Sequence, residues 1–201
     1  MKSTRNLYTA LFSLTVSLVS ISHGQIEGIS PLWTLEELRN ANTTKEARSY
    51  MHSSERDIIT VLNLARMYPK RFVELELTIE KEDYDYEYKR SLINHMLSME
   101  SIRAVKPNQS MYKLARCWAK ESGELGLTGH DRIQCNDGFW AECCSYGHGD
   151  ALGIVLQLLI DYGVPSLGHR VICLSDNFTA VGATINNHSI WGYVSVLDFS
   201  F

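Results

Sequence analysis

The sequence predicts an α+β fold in which helices pack on both faces of a small sheet. Three features carry that expectation. Helical periodicities fill the first three quarters of the chain, a β-hairpin closes it, and the last strand is apolar on both sides. A strand with large apolar groups on both faces must be covered twice, and a hairpin that follows a run of helices points to segregated α and β elements.

The elements follow in order. A short helix is expected near Thr34–Arg39, followed by a polar stretch around Asn40–Thr44. Ser53 or Ser54 caps the next helix, with Ile58, Leu62 and Ala65 on one face. That helix should stop near Met67, because the residue before Pro69 is disfavoured in the α region. Pro69 can itself open a new helical turn. The charged, tyrosine-rich run 81–89 reads as a solvated loop leading into a helix from about Tyr86 to Met99. After the break at Lys106-Pro107-Asn108, a helix from about Ser110 to Glu124 puts Leu114, Cys117 and Trp118 on one face, and Gly126 and Gly129 end it. Ala151, Ile154, Val155, Leu158 and Leu159 give the cleanest helical stripe, with Asp150 as its N-cap. Ala180–Asn186 and Ile190–Phe199 form the closing hairpin around Asn187 and His188. The second strand sets Trp191, Tyr193 and Leu197 against Ile190, Val194 and Val196.

The first two dozen residues read differently. Lys2 and Arg5 precede an apolar run, Leu7 to Ile21, and small residues flank a cleavage position after Gly24. That pattern is a secretory signal, 1–24, and is too short and polar for a membrane anchor. The expected organisation is therefore a signal peptide, an N-terminal extension over 25–52 and one domain over 53–201. Export makes the expected location secreted, periplasmic or extracellular. The 201-residue chain has a formal net charge of −4 and no basic stripe, which argues against nucleic acid as a partner. All five cysteines fall after the leader. In an oxidising compartment an odd count allows one or two disulfides and leaves a thiol over. No C-x-x-C is present, so the zinc-ribbon spacing is absent.

Several short stretches resemble one family when taken in order. Asn63, Arg66, Pro69 and Phe72 match an N-x-x-R-x-x-P-x-x-F helix motif. Gly129-His130-Asp131-Arg132, Glu142-Cys143-Cys144-Ser145-Tyr146-Gly147 and Ser166-Leu167-Gly168-His169-Arg170 follow, then Phe178-Thr179-Ala180-Val181-Gly182-Ala183. Together they resemble the bacterial-type CAP (cysteine-rich secretory, SCP-like) domain. The resemblance implies a three-layer α-β-α sandwich, with a small, mainly antiparallel sheet flanked by helices. It also implies a cleft lined by His130, Glu142 and His169, with Asp161 as a further acid. Such a donor set suits a divalent cation such as zinc. The chain departs from the family at Cys143 and Ile172, where asparagines are usual. Cys144 and Cys173 fall at buried, apolar positions and are expected to pair or to remain buried thiols. Pairing of Cys135 with Cys143 is the competing arrangement.

The function expected on this basis is a secreted, non-catalytic binding or interaction module, without a stable membrane anchor. Its partner would be an extracellular small molecule or lipid, or a protein at the cell surface. The alternative is a metal-dependent hydrolase using the same cleft. A variant of that alternative makes Cys143 a nucleophile with a histidine as base.

Overall fold

Asn63 and Arg66 show how the chain closes on itself. The computed structural model describes residues 26–201; the expected leader, 1–24, lies outside them. Helix α2 (Ser53–Met67) carries both side chains into the interior. The Asn63 amide donates to the carbonyls of Ala41 and Val105 and accepts from the Val105 N–H. The Arg66 guanidinium donates to the carbonyls of Arg103, Cys173, Ser175 and Phe178. Both are fully buried, so these bonds meet the obligation that buried polar groups find partners.

Before α2 come α1 (Leu35–Ala41), opened by a Thr34/Glu37 capping box, and a 3₁₀ turn over Lys45–Ser49. The expected extension is no appendage. Ile29, Trp33, Ala41, Ala47 and Met51 are buried in the same core as α2, and the Trp33 indole donates to Glu76 (2.6 Å). The stripe expected on α2 was one-sided, yet Ile58, Ile59, Val61, Leu62, Leu64 and Ala65 are all buried. A helix buried nearly all round is a central core helix, and packing of Ile29, Trp33, Ala41, Ala47 and Met51 into the same core accounts for the difference.

Helix α3 (Pro69–Glu76) starts on its proline, and α4 covers Tyr86–Ser98. Strand β1 (Lys106–Pro107) is minimal. Helix α5 (Gln109–Leu125) is capped by the Asn108 side chain and ended by Gly126 in the left-handed region. Strand β2 (Ala141–Tyr146), α6 (Ala151–Ile160, capped by Asp150), α7 (Gly168–Cys173), β3 (Ala180–His188) and β4 (Gly192–Ser200) complete the order.

The sheet has the strand order β1-β3-β4-β2. Its β3–β4 and β4–β2 pairs are antiparallel and the short β1–β3 pair is parallel. Along β2 and β4 the side chains alternate between two layers. Cys144, Val194 and Val196 pack with Ala115, Trp118 and Ala119 of α5. Cys143, Leu197 and Phe199 join the core built on α2 and α6. The fold is thus the expected α+β sandwich with helices on both faces.

Helix α5 sits directly on β3. A Cβ at Gly182 would fall 2.0 Å from the Tyr112 backbone nitrogen, and one at Gly123 2.1 Å from the Asn187 carbonyl oxygen. Only a residue without a side chain permits either approach. From Val194 to Phe199, β4 is covered on both sides, whereas Ile190, Trp191 and Tyr193 at the hairpin tip are exposed. The turn also lies two residues later than expected, because β3 runs on through His188 and β4 begins at Gly192.

Candidate functional site

β2 is an edge strand, and the site forms where the two helical layers meet around it. From the α5 side comes the segment 126–139. Gly129 adopts φ +90° and is held from two directions. Its N–H donates to the Tyr146 hydroxyl (2.9 Å), and its carbonyl accepts from the Trp118 indole (3.1 Å). Farther along, Glu121 accepts from the N–H groups of Ile133 and Gln134. The disulfide Cys117–Cys135 ties the segment to α5. These contacts hold an irregular stretch firmly enough to aim His130.

His130 Nδ1–H donates to Glu142 Oε1 (2.8 Å). The Glu142 side chain is 2% exposed, the imidazole 52%. Hydrogen bonding to Glu142 raises the His130 pKa, against the opposing effect of burial. Burial pushes the Glu142 carboxyl upward, but the bond from His130 and the charge of Arg132 outweigh it and hold the group below its usual value.

Arg132 is the buried counter-ion of this corner. Its guanidinium pairs with Glu142 and with Asp198 (3.0 Å), donates to the Leu114 carbonyl and lies 4.5 Å over the Phe139 ring. Glu142 and Asp198 are direct cross-strand partners. Burial, and then the charge of Glu142, push Asp198 up to about 8. Of the two carboxylates, Glu142 is the ionised one and Asp198 keeps its proton at neutral pH.

From the opposite layer comes a second pair of the same kind. Asp161 ends α6 in the left-handed region (φ 58°), a conformation that aspartate tolerates better than most residues. That bend turns its carboxylate toward α7. There it accepts from His169 Nδ1–H (2.7 Å) and from the backbone N–H groups of His169 and Arg170. Arg170, also buried, donates to the carbonyls of Leu159, Ile160 and Tyr88 and to the Ser91 hydroxyl. It locks α7 onto α6 and α4.

The two imidazoles meet with ring centroids 6.4 Å apart. They line one cavity of about 250 Å³, walled also by Cys144, Tyr146, Gln157, Tyr162 and Val164. His130, His169 and Asp161 line this cavity, and Glu142 reaches it through His130, so the four are not equivalent ligands. Each carboxylate occupies the Nδ1 side of a histidine and leaves Nε2 free, the arrangement by which outer carboxylates orient metal-binding imidazoles.

His130, Glu142 and Cys144 offer ligand atoms all within 4.8 Å of one another, a group that could hold a metal ion. Within it, Glu142 is already engaged by His130 and Arg132. Burial pushes the Cys144 thiol well up, and a thiol must lose its proton to ligate. The donor set thus fits a cation chiefly through imidazole nitrogen.

The cysteines need correction. Cys135 pairs with Cys117, which shares a helix face with Leu114 and Trp118 in the sequence. Cys143, Cys144 and Cys173 are buried free thiols, so neither Cys135–Cys143 nor Cys144–Cys173 pairing is present. Because β2 alternates, Cys144 lies on the α5 side and Cys143 on the other. Burial raises the Cys143 thiol well above its usual value, the reverse of what a nucleophile requires.

Sequence reasoning missed Asp198 and the role of Arg132. An acid inside the apolar run Val194–Phe199 was the available signal for Asp198, since an acid in a doubly covered strand must be paired or neutral. Arg132 stands in the Gly129–Arg132 motif, where nothing nearby in the chain signals its partners Glu142 and Asp198. Comparison with known proteins adds nothing further: no family model, no curated protein and no solved structure matches the chain.

Proposed function

We propose that this chain is a CAP-type (SCP-like) extracellular binding module whose cleft takes a divalent ion such as zinc between His130 and His169. The observation that supports this most is the pair of histidine–carboxylate contacts, His130–Glu142 and His169–Asp161, brought from opposite layers to one cavity. Neutral imidazoles with a bound Nδ1 proton present Nε2 as a donor, and zinc accepts such nitrogens while keeping positions open for water or ligand. A bound zinc would supply Lewis acidity and an attachment point for an anionic or carbonyl group. Glu142 and Asp161 fix the two rings, while Tyr146 and Gln157 shape the wall. Gln157 accepts from the Tyr146 N–H and donates to the Tyr146 carbonyl. That pairing satisfies the Tyr146 backbone at one end of β2, beside the cavity.

A small molecule or lipid, or a group projecting from a cell-surface protein, is the partner class that fits a cavity of this size. The test is metal content after purification without chelator, for the wild type and for His130→Ala and His169→Ala separately. Bound zinc in the wild type, lost in both variants, supports the reading; zinc retained in both contradicts it. Zinc-dependent turnover of an ester or peptide substrate that disappears with His130→Ala would replace it with the hydrolase.

A further inference from the structure

His188 is a buried histidine that the cleft does not use. It ends β3 beneath the hairpin tip and is 3% exposed. Its two ring nitrogens face opposite kinds of partner. Nε2 lies 2.9 Å from the Leu127 carbonyl oxygen, and Nδ1 lies 3.2 Å from each of the Ile190 and Trp191 backbone nitrogens. A carbonyl can only accept and a backbone N–H can only donate. The ring is therefore neutral, with its proton on Nε2 and the lone pair of Nδ1 receiving both N–H groups.

These bonds join two segments that lie outside the sheet. Ile190 and Trp191 belong to the turn between β3 and β4, and Leu127 opens the stretch that leads through Gly129 to His130 and Arg132. The imidazole also stands nearly perpendicular to the Tyr146 ring, with centroids 5.5 Å apart, and the Tyr146 hydroxyl accepts from the Gly129 N–H. One side chain thus braces the hairpin tip against the base of the segment that aims His130. Two titratable groups face it, Tyr146 from β2 and Glu124 from α5, the latter on the same surface cavity. Glu124 is exposed and lies 3.9 Å from the Lys120 ammonium. The facing residue on β4 is Gly192. All three hydrogen bonds of the ring go to backbone.

We propose that His188 is an acid-sensitive latch, whose protonation at Nδ1 releases the hairpin tip and the segment leading to His130. A proton taken from solvent by Nδ1 replaces its lone pair with an N–H. That N–H points at two backbone N–H groups, donor against donors, and both amides lose their acceptor. The new charge has no carboxylate bonded to it, and a buried charge without a partner is costly. Swinging the ring out relieves both conflicts and breaks the Leu127 bond as well. Histidine is the side chain whose charge changes between about pH 5 and pH 8, so the latch is closed at neutral pH and opens on mild acidification. The inference stands on these hydrogen bonds and does not depend on any ion occupying the cleft.

The test is amide hydrogen exchange of the full chain, followed by NMR from about pH 8 to about pH 5, with each rate divided by its intrinsic value. Protection of the Ile190, Trp191, Leu127 and Gly129 amides should fall at least about tenfold over that range, while Ala183 and Leu197 inside the sheet stay protected. Nitrogen-15 spectra should show the His188 proton on Nε2 at the upper end, and His188 should gain its second proton at the midpoint of the loss of protection. His188→Asn keeps an acceptor for the N–H groups two and three residues on and does not titrate, so its Ile190 and Trp191 amides should hold their protection at every pH. Wild-type protection that persists to about pH 5 overturns the proposal. An equal fall in the wild type and His188→Asn overturns it too, by assigning the opening to another group. The nitrogen-15 measurement needs only wild-type protein, and a His188 proton on Nδ1 at about pH 8 is equally fatal.

Discussion

Glu142 and Asp198 face each other across the β2–β4 pair, with the Arg132 guanidinium hydrogen-bonded to both. Two buried acids and one cation make a corner that holds together only while every member is present. Removing one partner of a buried ion pair leaves an uncompensated charge, which is costlier than never having built the pair. Arg132→Ala is therefore expected to destabilise the fold by about 3–5 kcal/mol. Asp198→Asn, which keeps the shape of a neutral acid, should cost far less. Urea denaturation of the two variants checks the order, and an equal loss from both would refute this account of the corner.

Asp198 also gives the protein a pH signature. Its folded value of about 8 lies above the ordinary 3.8, so between those values the native state holds a proton that the unfolded state has released. Stability from this group is complete below the unfolded value and falls as pH rises through the folded one. Unfolding free energy measured from about pH 5 to about pH 9 should decline in the wild type and decline less in Asp198→Asn. Glu142 works in the opposite direction. Its carboxyl is held below the usual value, so its contribution is lost on acidification.

Gly182 is the point at which α5 touches the sheet. A Cβ there would sit 2.0 Å from the Tyr112 nitrogen, and helix backbone cannot yield as a flexible side chain can. Gly182→Ala should cost at least about 3 kcal/mol by overpacking. Gly129→Ala meets nothing within 4 Å and should cost mainly the strain of its positive φ, about 1–2 kcal/mol. Thermal melts of the two variants should separate clearly.

The Cys117–Cys135 bridge is expected to matter for the cleft as much as for the fold. It anchors the segment that carries His130 and Arg132 to α5. A Cys117→Ser/Cys135→Ser variant should lose about 2–4 kcal/mol, and amide exchange over 127–136 should speed up more than exchange in β3 or β4. Uniform acceleration would indicate that the bridge supports only global stability.

Much of the fold was legible because its signals are local. The Asp150 cap, the Pro69 restart, the Gly126 stop and the apolar stripe of α6 each depend on neighbours in the chain. The histidines were legible because short stretches around them resembled a known pattern, and Asp161 followed only as the nearest acid before the second of them. β2 and α7 were harder to read. Each is six residues long, too short to display a period, and their stability comes from β4, α6 and the buried Arg170. The pairing of Cys117 with Cys135 also escaped, because connectivity depends on how the segment 126–139 folds back over α5. The division of labour in the cleft could not be read from residue types. Whether a carboxylate binds an ion or orients the imidazole that does so depends on which nitrogen it reaches.

That division is the central claim, and nitrogen-15 NMR of histidine-labelled protein tests it most directly. Without metal, the neutral forms of His130 and His169 should carry the proton on Nδ1 and leave Nε2 unprotonated. One equivalent of zinc should shift the Nε2 signals of both His130 and His169 together, with saturation at a single stoichiometry, and Cys144→Ser should leave that response unchanged. Zinc that shifts His130 alone and loses its effect in Cys144→Ser would contradict the account and place the ion on His130, Glu142 and Cys144 instead.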